Sequence, residues 1–459
     1  MQTFVTTTEH SSPEESRTQL IVASLAGAIT ILGIVIVNPQ SLLQFILFFC
    51  SWSIIILLLH REELPRFSMA FLVNSSFIAV FVAIQSATYP DTYGTTSPLS
   101  SSWTDDSYFF TLAADHIPAD LLTRDQYWLY SDTFASLIRA LTPLPIHHPL
   151  DALFFQSGTA ALLATFTRRL TLQWQGTKKL ADTVFVLILV CPFLMMNGGV
   201  VLLRDTFAAA LLVYSLSCFS SHRFLLAGMA IALQLAVRPG TGLILVPAYA
   251  ALFHREIVAF VRARPVLVAL GILAASASAY LLANVLIELV ETQVLVKSVG
   301  FLGRELLTDL NADPNANQLF ARIQDFPFLV RLFLNAGYIF SYPFLVVRSV
   351  TAEQTFDIRN VSMNLLIPIY AYWLNAWFFA GALSSVRAIK KQRAIVYAIA
   401  TILILVGTYS LQTRHKTIIY PLYYIIVAVG LRYAPSLERR SGYLLSAGLL
   451  AVQVAAGLR

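Results

Sequence analysis

Long apolar runs alternate with short charged loops along this chain. The runs lie at about 20–38, 42–59, 67–87, 149–167, 181–197, 205–221, 223–238, 241–254, 266–288, 361–385, 394–412, 417–432 and 442–457. Each predicts a helix that enters or crosses a bilayer, where about 20 apolar residues suffice for a full span. The segment 326–348 is apolar and aromatic but carries Arg331, Pro327 and Pro343, and reads as re-entrant or interfacial. The expected fold is all-α: a polytopic transmembrane bundle of about 11–14 spans, forming one integral membrane unit over 1–459.

Two polar interruptions, at about 88–147 and 289–360, read as long outer loops. Within the first, SYFFTLAADHI and YWLYSDTFASLIRAL place apolar residues at three- and four-residue spacing. They predict short amphipathic helices at the membrane interface. The second loop carries a similar segment, LVKSVGFLGRELL, and a turn-rich NADPNANQ.

Composition agrees with the pattern. Hydrophobic residues make up 57% of the 459 and charged residues only 12%. The mean hydropathy is +0.70, and soluble domains carry about 25% charge. The N-terminal residues MQTFVTTTEHSSPEESRTQ do not form a signal peptide, so the first apolar run reads as a retained helix. Cys50, Cys191 and Cys218 fall in or beside apolar runs without metal-binding spacing, and read as buried apolar residues.

The net charge of +6 reflects topology rather than nucleic-acid binding. With a cytoplasmic N-terminus, six basic loops fall on the inner side: His60–Arg66, Arg168–Lys179, Arg223, Arg255–Arg264, Arg387–Arg393 and Arg432–Arg440. The loop 88–147 then falls outside, with seven Asp against two Arg. The expected location is the cytoplasmic (inner) membrane, with a functional face toward the periplasm or exterior.

The unusual charges collect at that outer face. Arg204 opens an apolar run after Gly198 and Gly199. A cation beside hydrocarbon costs roughly 2.5–3.5 kcal/mol on insertion scales and is a functional-site candidate for that reason. Asp205 is its simplest local partner, although adjacent residues on a helix do not face each other. Arg238, before Pro239 and Gly240, closes one apolar run and opens the next. Arg414, His415 and Lys416 precede a third. Arginines suit bidentate contact with phosphate oxygens, and a helix start adds backbone N–H groups. Together these features describe a cradle for a diphosphate whose lipid tail stays in the bilayer. Helix-end anchoring is the ordinary alternative for Arg238 and loop charge for Arg414.

The sequence Trp103-Thr104-Asp105-Asp106-Ser107-Tyr108 is a second constellation. Aromatic rings stack on sugars, and a carboxylate can act as general base for a hydroxyl. Asp105 or Asp106 equally suits a helix N-cap. His147-His148 before Pro149 reads as a loop rather than a metal site, and Asp309–Asn315 lacks the Gly and Glu of a calcium loop. No P-loop, dinucleotide fingerprint, HExxH or GxSxG is present, and neither a metal nor a cofactor is expected.

The order of these motifs resembles the membrane-embedded polysaccharide polymerases of the Wzy and exopolysaccharide-polymerase type. More loosely, it looks like the GT-C class of lipid-linked-sugar glycosyltransferases. The resemblance rests on residues 95–250 and 410–430. It implies a polyprenyl-diphosphate-linked glycan as substrate, with other envelope polysaccharide assembly proteins as partners. Arg204, Arg238 and Arg414 or His415 would contact the diphosphate. Asp105 or Asp106 would be the acceptor-side base, with Trp103 and Tyr108 on the sugar. Arg238 departs from the exopolysaccharide group, where a histidine is expected. The competing class is a transporter or flippase for an anionic or lipid-linked sugar, whose site belongs near the midplane. A non-catalytic assembly subunit is a third reading.

Overall fold

The computed structural model describes residues 13–88, 129–142, 144–196, 204–238, 254–266, 366–387 and 416–457, with single positions at 113, 200, 202, 269, 270, 273 and 330. All regular structure among them is helical. In chain order the helices are α1 (Pro13–Val37), α2 (Ser41–His60), α3 (Leu64–Thr88), α4 (Leu129–Ala140), α5 (Pro149–Gln175), α6 (Lys178–Leu189), α7 (Pro192–Met195), α8 (Asp205–Ser220), α9 (Phe224–Val237), α10 (His254–Ala263), α11 (Ile367–Arg387), α12 (Lys416–Tyr433) and α13 (Ser436–Gly457).

Among the described residues, two segments are long and apolar enough to cross a membrane. They are Arg17–Val37 and Ser41–Ala87, the second folding back through the turn Arg61–Glu63. Asp205–Ser220, Phe224–Val237 and Thr417–Tyr433 are apolar but shorter. The predicted runs 241–254, 266–288 and 394–412 lie largely outside the described residues. Several runs read as spans form shorter helices, and α5 is long but carries many polar residues.

Helix α5 is the axis of the structure. Nearly all of its positions from Pro149 to Thr171 are buried, with α2, α3, α6 and α8 packed around it. Its start is tightly specified. His148 Nδ1 accepts from the Leu150 N–H at 3.1 Å. Asp151 Oδ2 accepts from the N–H groups of His147 (3.1 Å) and His148 (2.9 Å). Pro149 adds a pre-set backbone angle, and Gly176 ends the helix at φ +66°. The His147-His148 pair is therefore a helix cap.

Three local readings change. The run 181–197 is not one helix: α6 stops at Leu189 and a separate turn follows from Pro192. Pro192 lacks an N–H and its ring blocks the preceding turn. The stretch 254–263, read as the end of a span and a basic loop, is a helix. Phe260 fastens it to Phe224, with ring centroids 5.0 Å apart. Cys191 and Cys218 are buried as expected, but Cys50 is exposed.

The basic loops gather at one end. Arg168 binds Glu63 (3.0 Å) and Asp182 (2.6 Å), and Arg169 pairs with Glu62. Gln173 and Trp174 donate to Ser221 and Ser220. Arg432 donates to Thr183 at 2.8 Å, and Arg387 pairs with Glu438. Phe224 brings α10 to the same end. Six loops chosen on charge alone are thereby linked by direct contacts.

Helices α11, α12 and α13 meet at glycines. A Cβ on Gly381 would overlap the Ile426 carbonyl, and one on Gly430 the Trp377 carbonyl. Gly442 meets the Ala376 carbonyl in the same way. Backbones approach this closely only where a side chain is missing.

Candidate functional site

Helices α8 and α9 form an antiparallel hairpin. Its turn, Ser221–Arg223, lies at the basic end. The hairpin's open end brings the start of α8 beside the end of α9. Three charged residues meet there: Arg204, Asp205 and Arg238.

Local sequence sets both helix ends. Asp205 occupies the first position of α8, where a carboxylate complements the positive end of the helix dipole. Arg204 precedes it, and its carbonyl accepts from the Ala208 N–H at 2.9 Å. Pro239 follows Arg238 in sequence, and a residue before proline is pushed out of helical geometry. Arg238 accordingly stands at φ −147°, ψ 79°, and α9 stops at Val237.

The arrangement differs from local pairing of Arg204 with Asp205. Arg238 Nη1 pairs with Asp205 Oδ1, and both side chains are buried. Arg204 Nη1 instead reaches across to the Val237 carbonyl at 3.4 Å. That oxygen lies at a helix end, where the dipole is negative. Arg204 remains partly exposed whereas Arg238 does not. Two guanidiniums and one carboxylate thus share the corner.

Polar groups continue one turn deeper. Gln234 Nε2 donates to the Ala208 carbonyl at 3.4 Å, while Gln234 Oε1 and the buried Thr206 hydroxyl find no hydrogen-bond partner among the described residues. Beneath the corner lies an aromatic floor. Phe207 faces Phe155 (5.9 Å) and Trp52 (6.4 Å), and Phe134 of α4 closes on Phe155 (5.5 Å). Gly158 makes room for it, because a Cβ there would overlap the Trp52 indole.

Helix α4 is held near this floor through the segment that follows its C-terminal end. Ser51 donates to the Leu141 carbonyl at 2.9 Å, and Gln44 Nε2 donates to the carbonyls of Leu144 (3.2 Å) and Pro145 (3.1 Å). The helix read from YWLYSDTFASLIRAL thus packs into the bundle through Phe134 and Ile138.

Of the residues singled out in the sequence, Arg204 and Arg238 are brought together. Trp103, Asp105, Asp106, Tyr108, Arg414 and His415 lie outside the described residues. Lys416, next to His415, opens α12, which packs on α6 and α8. The partnership of Asp205 with Arg238 was missed. The available signal was the hairpin itself: two helices of 16 and 14 residues joined by a short turn bring their open ends level. Among the described residues no group of three or more His, Cys, Asp or Glu is placed to hold a metal ion.

The chain matches no protein-family model, no curated protein and no solved structure.

Proposed function

We propose that this chain is a multi-pass membrane glycosyltransferase or polysaccharide polymerase, acting on a polyprenyl-diphosphate-linked glycan at the face opposite its basic loops. It sits in the cytoplasmic membrane with its N-terminus inside. The exposed apolar side chains of α1 and α2, including Leu20, Leu25, Leu32 and Leu58, support the bilayer setting. The observation that carries the reading is the meeting of Arg204 and Arg238 at one buried helix-end corner.

In this reading Arg204 contacts the diphosphate. Arg238 sits behind it, held by Asp205, and adds field without direct exposure. The acceptor hydroxyl oxygen attacks the anomeric carbon. The bond from that carbon to the diphosphate oxygen breaks, and the hydroxyl proton passes to Asp105 or Asp106. Negative charge grows on the departing diphosphate, where a pre-placed cation lowers the barrier. Trp103 and Tyr108 stack on the sugar, and Arg414 or His415 adds a further phosphate contact.

The test is glycan chain length in a cell that makes a measurable polymer. Arg204→Ala stops polymer growth while the protein stays at normal level in the membrane. Unchanged chain length with Arg204→Ala and with Arg238→Ala ends the enzyme reading. Asp105→Asn and Asp106→Asn separate base from cap, since loss of a base lowers turnover in stably folded protein.

One observation favours the transporter reading. Helices of 16 and 14 residues rise about 24 and 21 Å from the basic end. That is short of the roughly 30 Å hydrocarbon thickness, so a bilayer whose inner boundary ran at the basic end would enclose the corner. Broken helices with charged ends inside the bilayer suit a carrier. Counterflow of labelled lipid-linked sugar in proteoliposomes, without glycan extension, establishes that alternative.

A further inference from the structure

Over its described residues, His254–Ala263, helix α10 is amphipathic, the character of a helix at a membrane interface. Its sequence, HREIVAFVRA, puts Val258, Phe260 and Val261 on one arc at helical spacing. Only part of that arc is used by the protein. Phe260 packs on Phe224, while Val258 and Val261 stay 44% and 40% exposed. Arg262 projects about 40° around the helix from Val258, at the margin of the exposed strip. Arg262 and Arg264 are both exposed. The strip adjoins further bare apolar surface at the start of α9, where Leu225 is 79% exposed. Apolar side chains with arginines at their edge match the boundary between acyl chains and acidic headgroups.

We propose that α10 lies in the membrane plane at the basic end of the bundle, with its valines in the acyl boundary and Arg262 and Arg264 on anionic phospholipid headgroups. The occupant of this face is the lipid surface. Charge complementarity argues for it, because the exposed Arg432 and Arg440 belong to the same end. The inference rests on the bilayer setting proposed above, and it is independent of the glycosyl-transfer chemistry.

The test uses the full chain in lipid nanodiscs. Exposed Cys50 is first replaced (Cys50→Ser); Cys191 and Cys218 are buried. An environment-sensitive fluorophore is placed at Val258→Cys or Leu225→Cys, with spin-labelled acyl chains as quencher. Both sites are quenched, and phosphatidylglycerol added to phosphatidylcholine deepens quenching at 258. Arg262→Gln and Arg264→Gln each weaken that lipid response about fivefold. Protection at both sites removes the bilayer setting itself. Quenching at 225 with protection at 258 overturns the α10 assignment alone. Protection at 258 that disappears at one copy per disc identifies a second copy of the chain as occupant, and also overturns it. A response at 258 indifferent to phosphatidylglycerol and to both arginine variants overturns the headgroup contact.

Discussion

Asp205 and Arg238 form a buried ion pair that fastens the first residue of α8 to the residue ending α9. The pair does two things. It closes the open end of a helical hairpin, and it leaves Arg204 as the more accessible of the two arginines. Breaking one side leaves a buried charge without this partner, which costs about 3–5 kcal/mol. Asp205→Asn therefore lowers thermal stability in detergent sharply. The double variant Asp205→Asn/Arg238→Gln recovers much of the loss. A double-mutant cycle with additive single effects rules the coupling out.

Arg168 is 2% exposed and bridges Glu63 and Asp182 through two guanidinium nitrogens. Arg168→Leu leaves Glu63 without this partner and destabilises by about 3 kcal/mol. Lysine at this position recovers little, because one ammonium does not reproduce the guanidinium fork. Adding Glu63→Gln to Arg168→Leu restores part of the melting temperature. If Arg168→Lys melts like the parent protein, the fork geometry is irrelevant.

Gly158 faces the Trp52 indole with no room for a methyl group. Gly158→Ala pushes the indole off α5 and destabilises by about 1–3 kcal/mol. Shrinking the ring (Trp52→Leu) in the Gly158→Ala background relieves the clash, so the two changes together cost less than their sum. Intrinsic fluorescence and thermal unfolding read both effects.

His148 caps α5 through an unprotonated Nδ1. Burial lowers its pKa below the ordinary 6.5, and Asp151 opposes that shift only in part. The neutral imidazole is thus favoured in the folded state. Its stabilisation is fully present above pH 6.5 and fades as pH falls from there toward the lower folded value. His148→Asn keeps an acceptor and flattens this part of the pH–stability curve. His148→Ala costs about 1 kcal/mol at neutral pH. Equal acid sensitivity in His148→Asn and the parent removes His148 as the cause.

Gly430 lies where the α12 backbone meets the Trp377 carbonyl of α11. Gly430→Ala parts the two helices and lowers the unfolding temperature more than Gly448→Ala, where a Cβ meets nothing. Equal effects of the two substitutions contradict the close crossing.

Much of this architecture was readable along the chain. Apolar periodicity located α1, α2, α3, α8, α9 and α12 to within a few residues, apart from the extra polar turns that start α1 and α3. Helix formation answers to local spacing and to breakers such as Pro239, so a linear pattern is enough. Charge placement likewise gathered the basic loops at one end before any contact was known. Partner choice is different. Asp205 neighbours Arg204 in sequence but pairs with Arg238, because a helix turns adjacent side chains about 100° apart while a hairpin brings distant ends level. The helical state of 254–263 and the fit of Trp52 against Gly158 depend in the same way on which surfaces meet. Local spacing decides where helices form; their lengths and crossings in three dimensions decide which charges share a corner.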